Sequence, residues 1–245
     1  MVLKKYEDLP KEFICDEVLE YYNILAKKNF SLIAKRILDI VMSLILLLLC
    51  TPIILVISII IKVDSQGPIV FKQERVTTYG KKFWIYKFRT MFTGSEKGSQ
   101  VTVDNDTRIT KVGKVLRKYR LDELLQLINI LKGDMSFVGT RPEVQKYVDE
   151  YSNEMYATLL MPAGVTSLAS IRYKDEDRLL QQSKDTDYTY ISEILPEKMK
   201  YNLEYILKFS ILYDISLMFL TVFAVFKKED TLVNEQKDKE LLNRQ

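Results

Sequence analysis

The sequence predicts an α+β chain, mainly helical, with a re-entrant membrane helix, cytosolic amphipathic helices and a small β-hairpin. Three stretches carry that prediction. Ile40 to Ile61 is a run of 22 residues without a charge, long enough to cross a bilayer's hydrocarbon core. "PIVFKQERV" and "FWIYKFRTM" are rich in β-branched and aromatic residues, and "TTYGKK" between them contains a turn glycine. "LRKYRLDELLQLINILKG" repeats its leucines and isoleucines at helical spacing. These features divide the chain into an N-terminal extension (1–30), the membrane helix (31–62), a cytosol-facing domain with interfacial helices (63–226) and a charged tail (227–245).

The extension is charged and partly helical, with Pro10 suited to the first turn of a helix towards Lys28. In the apolar run, Pro52 cannot donate to the Leu48 carbonyl, so a helix should kink there. The Thr51 hydroxyl is placed to satisfy part of the freed backbone. Lys35 and Arg36 flank one end and Lys62 the other. Basic flanks favour the cytoplasmic side, so a helix that enters, bends at Thr51-Pro52 and returns fits better than a straight span. Asp39 and Asp64 are expected near the interface.

In the hairpin, alternation puts Gln73 and Arg75 on one strand face and Lys87 and Arg89 on one face of the other. Aligned, they form a polar cluster that is either a phosphate site or a solvated basic surface. Gly94–Arg108 reads as a loop. In the helical stretch, Leu121, Leu124, Leu125, Ile128 and Leu131 share one face, Asp122, Gln126 and Asn129 make a polar stripe, and Gly133 is a stop. "SFVGTRPEV" reads as a short strand and turn. Phe209–Phe226 is apolar except for Asp214, which favours an interfacial or core-packed helix over a second span.

Composition narrows the chemistry. The 245 residues include no histidine, which removes the commonest general base and zinc ligand. Two cysteines, Cys15 and Cys50, build no disulfide framework and point to a reducing, cytosol-facing protein. A net charge of +3 does not indicate a nucleic-acid partner. Yet Arg108 to Arg120 holds six basic residues and no acidic one. This is either a solvated helix face or a site for a polyanion such as a diphosphate. Directly after it come Asp122 and Glu123. Neighbours on a helix point about 100° apart, so the two carboxylates cannot share one proton face to face. They serve either as an acidic helix start or as separate functional groups, one of which attacks phosphorus with cations and Mg²⁺ screening the repulsion.

"KRILDIV", "GPIVFKQERV", "YKFRTM", "DTRIT", "RKYRLDELLQL" and "GDMSFVGTRPEV" occur in this order. Together, over about residues 31–225, they resemble the bacterial sugar transferases, the monotopic polyprenyl-phosphate phosphoglycosyl transferases. The resemblance implies transfer of a sugar 1-phosphate from a UDP-sugar to a polyprenyl phosphate, usually undecaprenyl phosphate, with release of UMP, as the start of surface glycan assembly. It implies Asp122 as the nucleophile of a phosphosugar-enzyme intermediate, and Glu123 as its dyad partner for metal or proton management. One or both would lie near Mg²⁺. Arg117 and Arg141 match phosphate-holding positions, Thr51-Pro52 the helix break, and Lys35-Arg36 an interfacial anchor in the membrane lipid. The implied location is the bacterial inner membrane with the catalytic domain facing the cytoplasm. Two departures stand out: Thr140-Arg141-Pro142 replaces the usual Pro-Arg-Pro, and "PAGVTSLAS" only echoes the family's "PGxTGxxQ". Rival readings are a membrane glycosyltransferase releasing UDP and a non-catalytic membrane adaptor.

Overall fold

A computed structural model describes residues 1–95, 106–172 and 185–226. Part of the expected 94–108 loop and the whole charged tail therefore lie outside the described residues. The described elements are α1 (Asp16–Ala26), α2 (Asn29–Asp64), β1 (Val70–Val76), β2 (Lys82–Phe88), α3 (Lys111–Lys118), α4 (Gln126–Lys132), β3 (Met135–Val138), α5 (Gln145–Val148), β4 (Ala163–Thr166), α6 (Leu168–Arg172), α7 (Thr186–Thr189), α8 (Leu195–Lys208) and α9 (Ile211–Phe226), with a π-helical turn at Tyr190–Ile194. The fold is mainly helical with two two-stranded sheets, antiparallel β1–β2 and parallel β3–β4. The hairpin is as expected; the parallel pair, formed by part of "PAGVTSLAS", is not legible from local pattern. Gly139 and Gly164 permit it, because a Cβ on either would strike backbone atoms of the facing strand segment.

The first residues are no appendage. Leu9, Phe13, Val18, Tyr21 and Leu25 are buried in the main core with Leu160, Leu195, Met199 and Ile206.

α2 is one helix of 36 residues that continues through Pro52. Among the described residues it alone is long and apolar enough to cross a membrane. The Thr51 hydroxyl donates to the Leu47 carbonyl at 2.6 Å, not to the Leu48 carbonyl that lacks its donor. Leu48, Leu49, Leu55 and Ile59 are exposed. Its N-terminal half differs: Lys35, Asp39 and Ser43, four residues apart, are all buried. Lys35 was expected as an interfacial anchor and Asp39 at the interface, and both are instead spent inside the protein. Lys35 Nζ donates to Asp214 Oδ2 at 2.5 Å and to the Val138 carbonyl at 2.8 Å. Asp39 Oδ1 accepts from Ser136 Oγ at 3.0 Å and Phe137 N at 3.1 Å. Arg36 caps α4 by donating to the carbonyls of Ile130 at 2.6 Å and Leu131 at 2.8 Å. The Asp214 charge in α9 is thereby paired inside the protein, while Leu212, Phe219, Leu220, Val222 and Phe223 of the same helix are exposed.

Both halves of α2 touch one body. Leu46 and Leu47, before Pro52, pack on the cluster of Phe83, Ile85, Leu127 and Ile130. Ile54, Ile57 and Ile61, after it, pack with Phe88, Leu116 and Leu125.

Candidate active site

The stretch expected as one helix is broken at its centre. α3 ends at Lys118, Arg120 turns left-handed with φ of 57°, and Leu121–Glu123 forms a short 3₁₀ turn before α4. A bulky residue in that conformation is strained, and here it swings both carboxylates inward. Asp122 and Glu123 are 7% and 9% exposed. The expected apolar face is buried only in part: Leu125 is buried, Leu121 and Leu124 are half-buried against the cluster it shares with Ile57, Ile61, Phe88 and Leu116, and Ile128 is exposed. The polar stripe turns inward instead. Asn129 Oδ1 accepts from Tyr86 N at 3.0 Å and its Nδ2 donates to the Trp84 carbonyl at 2.7 Å, which locks α4 to β2. Gly133 ends α4 in the left-handed region, as predicted.

That lock delivers Lys87 to the acidic pair. Lys87 Nζ donates to Glu123 Oε1 at 2.9 Å, and Arg141 Nη2 donates to the same oxygen at 3.2 Å. Burial would push the Glu123 carboxyl up, but Lys87, Arg141 and Arg120 outweigh it and hold it well below the usual carboxylate range. Asp122 moves the other way: burial raises it, and the charge on Glu123 adds to the rise. Its Oδ1 is buried and has no hydrogen-bond partner among the described residues. Their surroundings thus shift the adjacent carboxyls in opposite directions, ion-paired Glu123 down and Asp122 up.

Arg117 donates through Nε to Thr90 Oγ1 at 3.2 Å, and its charge bears on Asp122. α3 approaches Thr90 closely because Gly113 has no Cβ to meet that backbone. Other expected phosphate ligands are elsewhere. The hairpin register pairs Phe71 with Lys87 and Arg75 with Phe83. All four polar residues share one face, but antiparallel pairing sends Gln73 and Arg75 towards one end and Lys87 and Arg89 towards the other. Arg89 is buried and donates to the Ser65 carbonyl at 2.6 Å, fastening the end of α2. Arg108 forks onto Asp106 at 2.6–3.0 Å. Arg75 donates to Gln73 Oε1 at 2.7 Å and to the Pro142 carbonyl at 3.1 Å. Sequence reasoning did not single out Arg120, Asn129 or Glu143. Arg120 stood within the basic run and Asn129 on the polar stripe, but their roles depend on the left-handed turn and on β2.

The matched family description, "Bacterial sugar transferase", covers residues 30–228. The chain belongs to the bacterial sugar transferase family. Curated relatives agree. An Aeromonas hydrophila UDP-N-acetylgalactosamine-undecaprenyl-phosphate N-acetylgalactosaminephosphotransferase is 38% identical over 193 residues, 77% of this chain and 42% of that protein. A Klebsiella pneumoniae UDP-glucose:undecaprenyl-phosphate glucose-1-phosphate transferase is 37% identical over 204 residues, 81% and 41%. A Caulobacter vibrioides protein of the same description is 35% identical over 193 residues, 77% and 68%. The chain thus spans about two-fifths of the length of the first two. Within this bacterial sugar transferase, residues 1–29 lie outside the family match yet pack into the shared core.

The donor set fits a hard cation that takes few protein ligands. Mg²⁺ is commonly held by one or two carboxylates together with substrate phosphates, and the unpartnered Asp122 Oδ1 beside Glu123 supplies that minimum. Among the described residues no group of three or more His, Cys, Asp or Glu side chains that could hold a metal occurs.

Proposed function

We propose that the chain transfers a sugar 1-phosphate from a UDP-sugar to undecaprenyl phosphate, releasing UMP and so initiating a surface glycan. The observation that carries this reading is the buried Asp122 Oδ1, unpartnered among the described residues, beside an ion-paired Glu123. In the first step an Asp122 carboxylate oxygen bonds to the sugar-bearing phosphorus, and the bond from that phosphorus to UMP breaks. In the second, an oxygen of the polyprenyl phosphate attacks the same phosphorus, and the aspartyl bond breaks. Glu123 remains ionised throughout. Arg141 and Arg117 face the donor phosphates and offset charge as the pyrophosphate bond opens. Bound Mg²⁺, held by Asp122, Glu123 or both, would screen the repulsion between carboxylate and diphosphate.

The membrane arrangement proposed with it is a re-entrant α2, inserted from the cytoplasmic face of the inner membrane. Its support is the contact of both halves of α2 with one folded body, whereas a straight span carries one half away. Placing the nucleophile beside that helix brings it to a lipid-borne acceptor. The test is UMP and UDP release across a panel of UDP-sugars, with undecaprenyl phosphate present. UMP is expected; UDP in its place means sugar transfer alone, and no nucleotide release means a non-catalytic protein.

A further inference from the structure

The residues around Arg141 are each tied to another element. Gly139 N donates to the Thr166 carbonyl at 3.0 Å, and the Thr140 carbonyl accepts from Gly164 N at 2.8 Å. The Pro142 carbonyl accepts from Arg75 at 3.1 Å, and Val76 N donates to the Glu143 carbonyl at 2.9 Å. The Glu143 side chain is the hub of this arrangement. It is buried, accepts from the Tyr190 hydroxyl at 2.6 Å, and lies 3.5 Å from Lys198 Nζ and 4.0 Å from Arg75 Nη1. Lys198 also donates to the Tyr190 hydroxyl at 2.9 Å. Burial opposes a charge on Glu143, but Lys198 and Arg75 outweigh it and hold the carboxyl below the usual range. Buried ion pairs are a poor source of stability, since apolar replacements often serve as well. What this one specifies is geometry: the single chain bend from which Arg141 reaches Glu123.

We infer that Glu143 is a positioning residue, which through Lys198, Tyr190 and Arg75 fixes the Arg141-Pro142 bend and so presents Arg141 to the donor's diphosphate. The ligand class rests on the proposed phosphosugar transfer; the test needs no turnover. UDP affinity is measured by calorimetry for the intact chain and for Glu143→Gln, Arg141→Ala, their double variant and Tyr190→Phe. Charged hydrogen bonds of this kind set the scale, so Glu143→Gln and Arg141→Ala should each weaken UDP about tenfold. The double variant should match Arg141→Ala alone to within about twofold, because coupled residues are not additive. Tyr190→Phe should weaken UDP about threefold, and only when Arg141 is present; it carries the test if Glu143→Gln does not fold. A purely structural Glu143 would give additive losses or none. Additivity, unchanged affinity in Glu143→Gln and Tyr190→Phe, or no UDP binding by the intact chain overturns the inference. If Glu143→Gln leaves affinity unchanged while UMP release still depends on Asp122, the positioning role fails and the proposed function stands. Coupling without UMP release from any donor gives the reverse.

Discussion

Lys87→Met isolates the ion pair that separates the two carboxylates. Lys87 lies 2.9 Å from Glu123, whose side chain is 9% exposed, while the lysine is 20% exposed. Removing one partner of a buried pair costs about 3–5 kcal/mol. Arg141 still reaches the same oxygen, so the low end, about 3 kcal/mol, applies. At about 1.4 kcal/mol per pH unit, the Glu123 carboxyl should rise by about two pH units. The sign follows from its depressed value. The ionised Glu123 contributes stability above the ordinary carboxylate pKa, and that contribution is lost as pH falls through the folded value. With Lys87 gone, that loss comes at higher pH. Lys87 also lowers the Asp122 carboxyl, the higher of the two and the one that must be ionised to attack, so the acid limb of kcat/KM for UMP release should move up, with urea stability at neutral pH reduced. A folded variant whose acid limb coincides with that of the unaltered protein would refute this account of the Lys87 charge.

Asp122→Asn should be inactive yet more stable. Burial raises the Asp122 carboxyl, so ionising it costs stability as pH rises through its folded value, and an amide avoids that cost. A gain of about 1 kcal/mol near neutral pH, fading in acid, is expected in detergent-solubilised melts; a loss would contradict the burial argument. Lys35→Met should cost about 3–5 kcal/mol by stranding Asp214, and Lys35→Met with Asp214→Leu should recover most of it; urea titrations compare them. Gly139→Ala should cost about 2–3 kcal/mol, because its methyl strikes the Pro162 carbonyl oxygen across the parallel pair; the readout is the melting temperature. With Cys15 and Cys50 replaced, cysteines at exposed Lys27 and Gln66 should both be labelled only from the cytoplasmic side. Periplasmic labelling at either position would reject re-entry.

Elements set by local chemistry were legible. The hairpin follows from β-branched and aromatic runs around a glycine turn, α2 from its uncharged run, and the end of α4 from Gly133. Elements set by distant partners were not. Leucine spacing at 121–131 suggested one amphipathic helix, but the left-handed Arg120 breaks it, and Asn129 turns the polar side towards β2. Lys35 and Asp39 look like flanking charges until Asp214 and Ser136 arrive from far along the chain. Of the expected site residues, Asp122, Glu123, Lys87 and Arg141 converge, with Arg117 close enough to act on Asp122. Arg89 and Arg108 are held by local partners that strand alternation cannot reveal. How Arg141 returns to the acidic pair depends on the parallel β3–β4 pair and the hub at Glu143, neither of which has a periodic signature.

The central claim is that Asp122 forms a covalent link to the phosphosugar. UMP release before any acceptor is added tests it most directly. Purified protein, mixed with its UDP-sugar in the absence of undecaprenyl phosphate, should release about one UMP per active site and then stop. Asp122→Asn should release none. An acceptor-independent burst that survives Asp122→Asn, or UMP that forms only once undecaprenyl phosphate is present, would contradict the account.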